Sequence, residues 1–193
     1  AAALLVGLTF TRSAALGLAA GAGVLLLTVR PRPAFVLALA AAAILAVSPG
    51  SVKDRLSSSF DLRDDAARDR VAMWTAGAGM VSDRPFLGVG PGRVGYLYPV
   101  YRQDGFVDAR VGHLHNNVIH TAAETGIPSA VAYLAFVGLA AASAWPLARD
   151  PSRPQVQSLA RGALAVNAAL FVAGLFEYNF GDVEVQRAMF VLL

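Results

Sequence analysis

Long apolar runs interrupted by one polar stretch set the pattern of this chain. Residues 1–10 read as the tail of a span, 13–29 as a second and 33–48 as a third, and residues 127–148, 162–176 and 184–193 supply three more. A helix needs about 20 apolar residues to cross a bilayer, with a lower limit near 17, so 33–48 and 162–176 must borrow flanking residues. Residues 49–112 break the pattern, holding nine of the sixteen Lys/Arg and eight of the thirteen Asp/Glu. The pattern predicts an all-α fold, a polytopic transmembrane helical bundle forming one membrane domain over residues 1–193, with one large water-facing loop at 49–112. Inside the loop, Asp64 to Met80 carries Val71, Trp74, Ala78 and Val81 at helical spacing and reads as an amphipathic helix. Asp61 or Asp64 can cap it. A helix lying on the membrane surface is the plain reading.

Composition sharpens this. Only 15% of the residues are charged, against about 25% in a soluble domain, and mean hydropathy is +0.54. A soluble domain with a large core is excluded. Both ends fall inside apolar runs, as expected of a piece of a longer polytopic chain that does not fold alone. Cysteine is absent, so there are no disulfides or thiolate metal sites. The net charge of +3 comes from arginines at span ends and in a loop whose acids nearly balance them. No basic helix face with interleaved aromatics is present, which argues against nucleic acid as a partner.

Arginine placement orients the spans. Arg30, Arg32, Arg149, Arg153 and Arg161 share one side and lie in short connections, so that side is cytoplasmic. Counting spans places Arg12, the 49–112 loop, His115–Asn116 and residues 177–182 together on the extracytoplasmic face.

That face carries the candidate chemistry. Gly112-His113-Leu114-His115-Asn116-Asn117 is a polar cluster between apolar spans, and ionisable groups there are functional candidates. Asn116 or Asn117 can cap the following helix, which places His115 just outside a helix N-terminus. An imidazole there tends to stay neutral and can accept a proton near pH 7. A satisfied interfacial histidine is the bland alternative. His113, His120 and Glu124 share a helix face only if the helix begins by residue 113, and no zinc-site motif accompanies them, so no metal is expected. Gly90-Pro91-Gly92-Arg93-Val94-Gly95 matches the dinucleotide pattern GxGxxG. A proline sits inside it and Tyr98-Pro99 closes the would-be helix, so it reads as a Gly-rich turn. Arg12 and Arg70 can each be a snorkelling or surface arginine, or a guanidinium clamp for phosphate. Glu177-Tyr178-Asn179-Phe180-Gly181-Asp182 can orient His115, bind sugar, or be an ordinary polar loop.

Four stretches in this order resemble the O-antigen ligase and polymerase superfamily, which includes related bacterial oligosaccharyltransferases. They are Thr11-Arg12-Ser13-Ala14 at the start of a span, Arg70-x-x-x-Trp74, the turn from Pro85 through Gly88 and Gly90 to Gly92, and His115-Asn116 nine residues before Gly126, with Glu124 and Ile127-Pro128 in place. Thr11, Ser13 and Ser129 depart from the family by small-for-small exchanges. The resemblance implies inverting, metal-independent glycosyl transfer without a cofactor. The donor would be a glycan on undecaprenyl pyrophosphate, and the acceptor a glycan, a lipid A-core or a protein. The site would face the outer leaflet of a bacterial inner membrane that the protein crosses several times. By the same resemblance His115 is the base that deprotonates the acceptor hydroxyl, and Arg12 and Arg70 bind the pyrophosphate. Trp74, Gly88, Gly90, Asn116, Glu124 and Gly126 support them. A lipid-linked glycan transporter or flippase component, or a scaffold of a polysaccharide assembly complex, are the competing readings.

Overall fold

The computed structural model describes residues 12–29, 65–102 and 111–192. The spans expected at 1–10 and 33–48 lie outside these residues, as do 49–64 of the polar loop. The described residues form helices α1 (Arg12–Val29), α2 (Asp65–Asp83), α3 (Val94–Tyr101), α4 (Asn117–Thr125), α5 (Ile127–Arg149), α6 (Pro154–Gly174) and α7 (Val183–Leu192), with a 3-10 turn at Asn179–Gly181 before α7. No strand occurs among them.

Helices α5 and α6, 23 and 21 residues long with mean hydropathies of 1.7 and 1.4, are long and apolar enough to cross a membrane. The apolar part of α1 is shorter, Ser13–Val29. The stretch expected at 162–176 lies mostly in α6, which begins earlier, at Pro154, takes in Gln155, Gln157, Ser158 and Arg161, and stops at Gly174. Proline suits that first turn because its missing N–H would have no intrahelical partner there.

Small residues bring α1 and α6 together. A Cβ at Gly17 would lie 2.6 Å from the Ala169 carbonyl oxygen, and one at Gly21 2.8 Å from that of Ala165. Contact positions rise on α1 as they fall on α6, so the helices are antiparallel. The start of α1, Arg12, therefore lies at the end of the pair where α6 stops at Gly174. At the other end, α5 and α6 pack through Ala148, Ala160 and Leu164, and Arg161 Nε donates to the Ala148 carbonyl at 3.1 Å. That bond satisfies one of the free carbonyls at the C-terminus of α5.

A second core holds α2, α3 and α4 together through Met73, Ala76, Met80, Val89, Val94, Tyr98, Leu114 and Ala123. The helix expected from 64 to 80 is present, and its buried face is only partly the expected one, since Trp74 and Val81 pack against this core. Ala72, Met73, Ala76 and Met80 face inward, whereas Val71 and Ala78 are exposed. The small residues decide this, because Gly77 sits where a Cβ would lie 2.7 Å from both Leu114 and Ile119. The missing side chain at Gly77 lets Leu114 and Ile119 come so close. A second difference concerns Pro99, which lies inside α3 instead of ending it. In an eight-residue helix the proline removes a single bond, and the burial of Val94 and Tyr98, each 1% exposed, holds the turn.

Candidate functional site

The His-Asn segment is fixed through Leu114. Its side chain is fully buried, its N–H donates to His120 Nδ1 at 3.3 Å, and its carbonyl accepts from Trp74 Nε1 at 3.1 Å. The tryptophan of Arg70-x-x-x-Trp74 thus holds the backbone one residue before His115. Asn116 caps α4, its Oδ1 accepting from Ile119 N at 2.9 Å. Between these anchors His115 is forced to φ +47°, a left-handed backbone that few side chains adopt. His115 lies just outside the helix N-terminus, as its position before the cap demands.

The two asparagines also tie α4 to the segment after α6. Asn116 Nδ2 donates to the Leu175 carbonyl at 2.9 Å. Asn117, 1% exposed, donates through Nδ2 to Asn179 Oδ1 at 2.6 Å and to Tyr133 Oη at 3.1 Å, and accepts from Phe180 N at 3.0 Å. Gly174 leaves room for this, since a Cβ there would collide with the Asn117 amide.

These bonds carry Glu177 to the histidines. Glu177 Oε1 lies 2.9 Å from His115 Nδ1 and 3.7 Å from His113 Nδ1. Neither Nδ1 forms an aligned hydrogen bond, although both atoms are buried. The two imidazoles meet edge to face with centroids 4.3 Å apart. His115 beside it holds the Glu177 carboxyl below the usual carboxylate range. Burial, then the neighbouring His115, pushes His113 below the ordinary imidazole value. Among the described residues, His113, His115 and Glu177 are a group able to hold a metal ion, with three ligand atoms within 4.8 Å of one another. The face considered from sequence, His113 with His120 and Glu124, does not form, because α4 begins at Asn117 and His113 lies outside it.

Glu124 and the glycines build a separate knot. Val89 N and Gly90 N donate to the Ala123 and Glu124 carbonyls at 2.8 and 2.9 Å, Ile127 N donates to Pro85 O at 2.7 Å, and Gly92 N donates to Glu124 Oε1. The turn from Pro85 to Gly92 is thereby strapped across the end of α4. Gly88 and Gly126 have φ of +62° and +93°, and a Cβ at either would strike the opposing backbone. That is the physical content of the two glycine motifs. Behind the strap, His120 Nε2 lies 3.5 Å from Glu124 Oε2, and its ring stacks on Tyr178 at 3.7 Å. Burial drives His120 down to about 4, so it is neutral. Burial, then Glu124, pushes the Tyr178 hydroxyl up to about 12.

Of the residues singled out from sequence, the structure brings together His115, Asn116 and Trp74, and separately Glu124, Gly88, Gly90 and Gly126. Arg70 lies on α2 one turn before Trp74, an axial step of about 6 Å. Among the described residues no hydrogen bond or ion pair joins it to His115. The Arg12 backbone opens α1 at the end nearest Gly174, and its side chain lies outside what the structure describes. Asp182 is exposed just before α7. Sequence reasoning left Glu177 undecided and saw Asn117 only as a possible cap. The one signal for Asn117 as a hub was the doubled asparagine, and nothing local marked Tyr178 as the ring that lies on His120.

A family model described as O-antigen ligase matches residues 1–134, more than half of the chain, including Arg12, Arg70 and the His-Asn segment. The chain belongs to the O-antigen ligase family. It is therefore a membrane glycan enzyme of the ligase and polymerase type. The match ends eight residues into α5, so Glu177 lies beyond the part that this O-antigen ligase model describes. No curated relative matches the chain.

Proposed function

We propose that this protein transfers a glycan from undecaprenyl pyrophosphate to an acceptor hydroxyl at the outer leaflet of the bacterial inner membrane, which it crosses several times. The observation that carries the proposal is the 2.9 Å approach of Glu177 Oε1 to His115 Nδ1. A carboxylate at Nδ1 holds the ring proton there and leaves Nε2 free to accept one, the arrangement a general base needs. In free enzymes such bonds are often off-line and tighten when substrate binds. As His115 Nε2 takes the hydroxyl proton, the acceptor oxygen attacks the anomeric carbon from the face opposite the pyrophosphate. The carbon–oxygen bond to the pyrophosphate breaks with inversion. Arg12, on the helix end beside the site, and Arg70 on α2 would bind the departing pyrophosphate. Guanidinium forks match phosphate oxygens and stay charged at every working pH.

The test is transfer in proteoliposomes with a lipid-pyrophosphate-linked glycan and candidate acceptors. His115→Ala is expected to lose ~10²-fold or more in transfer and in release of the lipid pyrophosphate. Equal transfer by both proteins would remove His115 as the base. Wild-type movement of the lipid-linked glycan without transfer to any acceptor would favour a transporter.

A further inference from the structure

Two imidazole nitrogens and a carboxylate oxygen converge at one point. His113 Nδ1 and His115 Nδ1 are both buried without a hydrogen-bond partner, and both approach the same oxygen, Glu177 Oε1, at 3.7 and 2.9 Å. The His115 backbone is held in its unusual conformation by the bonds on Leu114 and Asn116, so this convergence is imposed by the fold. Among the described residues no other three His, Cys, Asp or Glu side chains meet so closely.

Such a donor set suits a borderline-soft divalent ion. Zinc takes nitrogen at about 2.0–2.1 Å and carboxylate oxygen at about 2.0–2.2 Å in tetrahedral geometry, which spaces the donors roughly 3.3–3.5 Å apart. Two of the spacings, 2.9 and 3.7 Å, bracket that value, and the three ligand atoms lie within 4.8 Å of one another. The three side chains are half-buried, while the two Nδ1 atoms themselves are turned away from solvent.

We propose that His113, His115 and Glu177 form a site for a divalent transition metal ion of the Zn²⁺ class, and that the bound ion inhibits glycan transfer. The inhibitory half rests on the reading of His115 as the base. A neutral imidazole carries one ring proton. An ion on Nδ1 leaves that proton on Nε2, which then cannot accept another from the acceptor hydroxyl. The ion also takes the Glu177 carboxylate away from the ring. The enzyme needs no metal for transfer and is silenced by one.

The test has one arm for binding and one for inhibition. Purified protein in detergent is titrated with Zn²⁺ against a chromophoric chelator, and with Co²⁺, whose ligand-field absorption reports low coordination by imidazole. Wild type is expected to bind one ion, and His113→Asn to bind it at least ~10-fold more weakly, since even outer-shell changes cost 10–100-fold in metal affinity. In proteoliposomes, zinc is expected to suppress wild-type transfer reversibly, with chelator restoring it. His113→Asn should need at least ~10-fold more zinc for the same fractional inhibition, each variant being compared with its own zinc-free rate. Failure of wild type to bind one ion, or unchanged affinity in His113→Asn, overturns the site. The Co²⁺ spectrum of wild type decides the matter if the variant misfolds, because absence of the low-coordinate signal also overturns it. Binding that depends on His113 while zinc leaves transfer untouched keeps the site, overturns the inhibition, and counts against His115 as the base.

Discussion

Asn116 makes two bonds that substitution can separate. Its Oδ1 caps α4 at Ile119 N and its Nδ2 holds the Leu175 carbonyl, both at 2.9 Å. Asn116→Asp keeps the cap, in a position where the helix dipole favours a carboxylate, but turns an oxygen toward the Leu175 carbonyl. Asn116→Ala removes both bonds. Loss of a cap costs about 1 kcal/mol, and leaving a part-buried carbonyl such as that of Leu175 unbonded about 1–3 kcal/mol. The alanine variant should therefore lose about 2–4 kcal/mol and the aspartate variant about 1–3 kcal/mol. Leu175 stands two residues before Glu177, so either change frees the segment that sets the Glu177–His115 distance. Misplacement of a catalytic partner by 1 Å can cost about 10²-fold, and kcat should fall by about 10- to 10²-fold in both variants with little change in donor KM. Thermal melting in detergent and transfer kinetics in proteoliposomes check the two halves. An Asn116→Asp protein with wild-type kcat would refute the claim that the Leu175 bond positions Glu177. Wild-type stability in the same protein would refute the energetic assignment.

Three further outcomes are expected. Gly126→Ala combines a φ of +93° with a Cβ driven onto the Phe86 carbonyl, so chemical denaturation should show a loss of at least ~2 kcal/mol, and proteolysis should open the strap near Phe86. Trp74→Phe keeps the ring but leaves the Leu114 carbonyl unbonded. It should cost about 1–3 kcal/mol by melting and lower kcat more than it raises KM. His120, at about 4 when folded and near 6.5 when unfolded, binds more protons in the unfolded state between those values, so stability falls as pH drops through that window. Its share of the loss should be on the order of 2 kcal/mol at pH 5, and melting of His120→Asn across pH 5–7 should show a correspondingly flatter profile.

Apolar length found α5 and α6 and periodicity found α2, because burial and membrane insertion both act on patterns that run along the chain, whereas α3 was read as a closed turn. Residues 127–148 were legible as a long apolar helix for that reason, and 162–176 as an apolar stretch that needs its flanks to reach spanning length. The orientation of α2 was only partly legible. Spacing drew attention to Val71, Trp74, Ala78 and Val81, of which only Trp74 and Val81 pack on the core, while the close approach at Ala72, Ala76 and Gly77 rests on smallness, a property that matters only once a partner helix approaches. Pro99 misled for a related reason. Its local cost is about one hydrogen bond, and the tertiary burial of Tyr98 outweighs it.

By itself the sequence determined the kind of molecule: a membrane glycan enzyme whose polar motifs include a capped helix just after His115. Capping, apolar length and motif spacing are local properties, and the chain carries them wherever it goes. Only the tertiary structure decided which carboxylate meets His115. Glu124 is nearer in sequence, yet it is occupied by the Gly92 N–H, His120 and Tyr178, while Glu177 is delivered from beyond α6 by the bonds of Asn116 and Asn117. A pairing across 62 positions depends on where antiparallel helices end and on which asparagine amide faces which carbonyl, and neither is written in any local stretch of the chain.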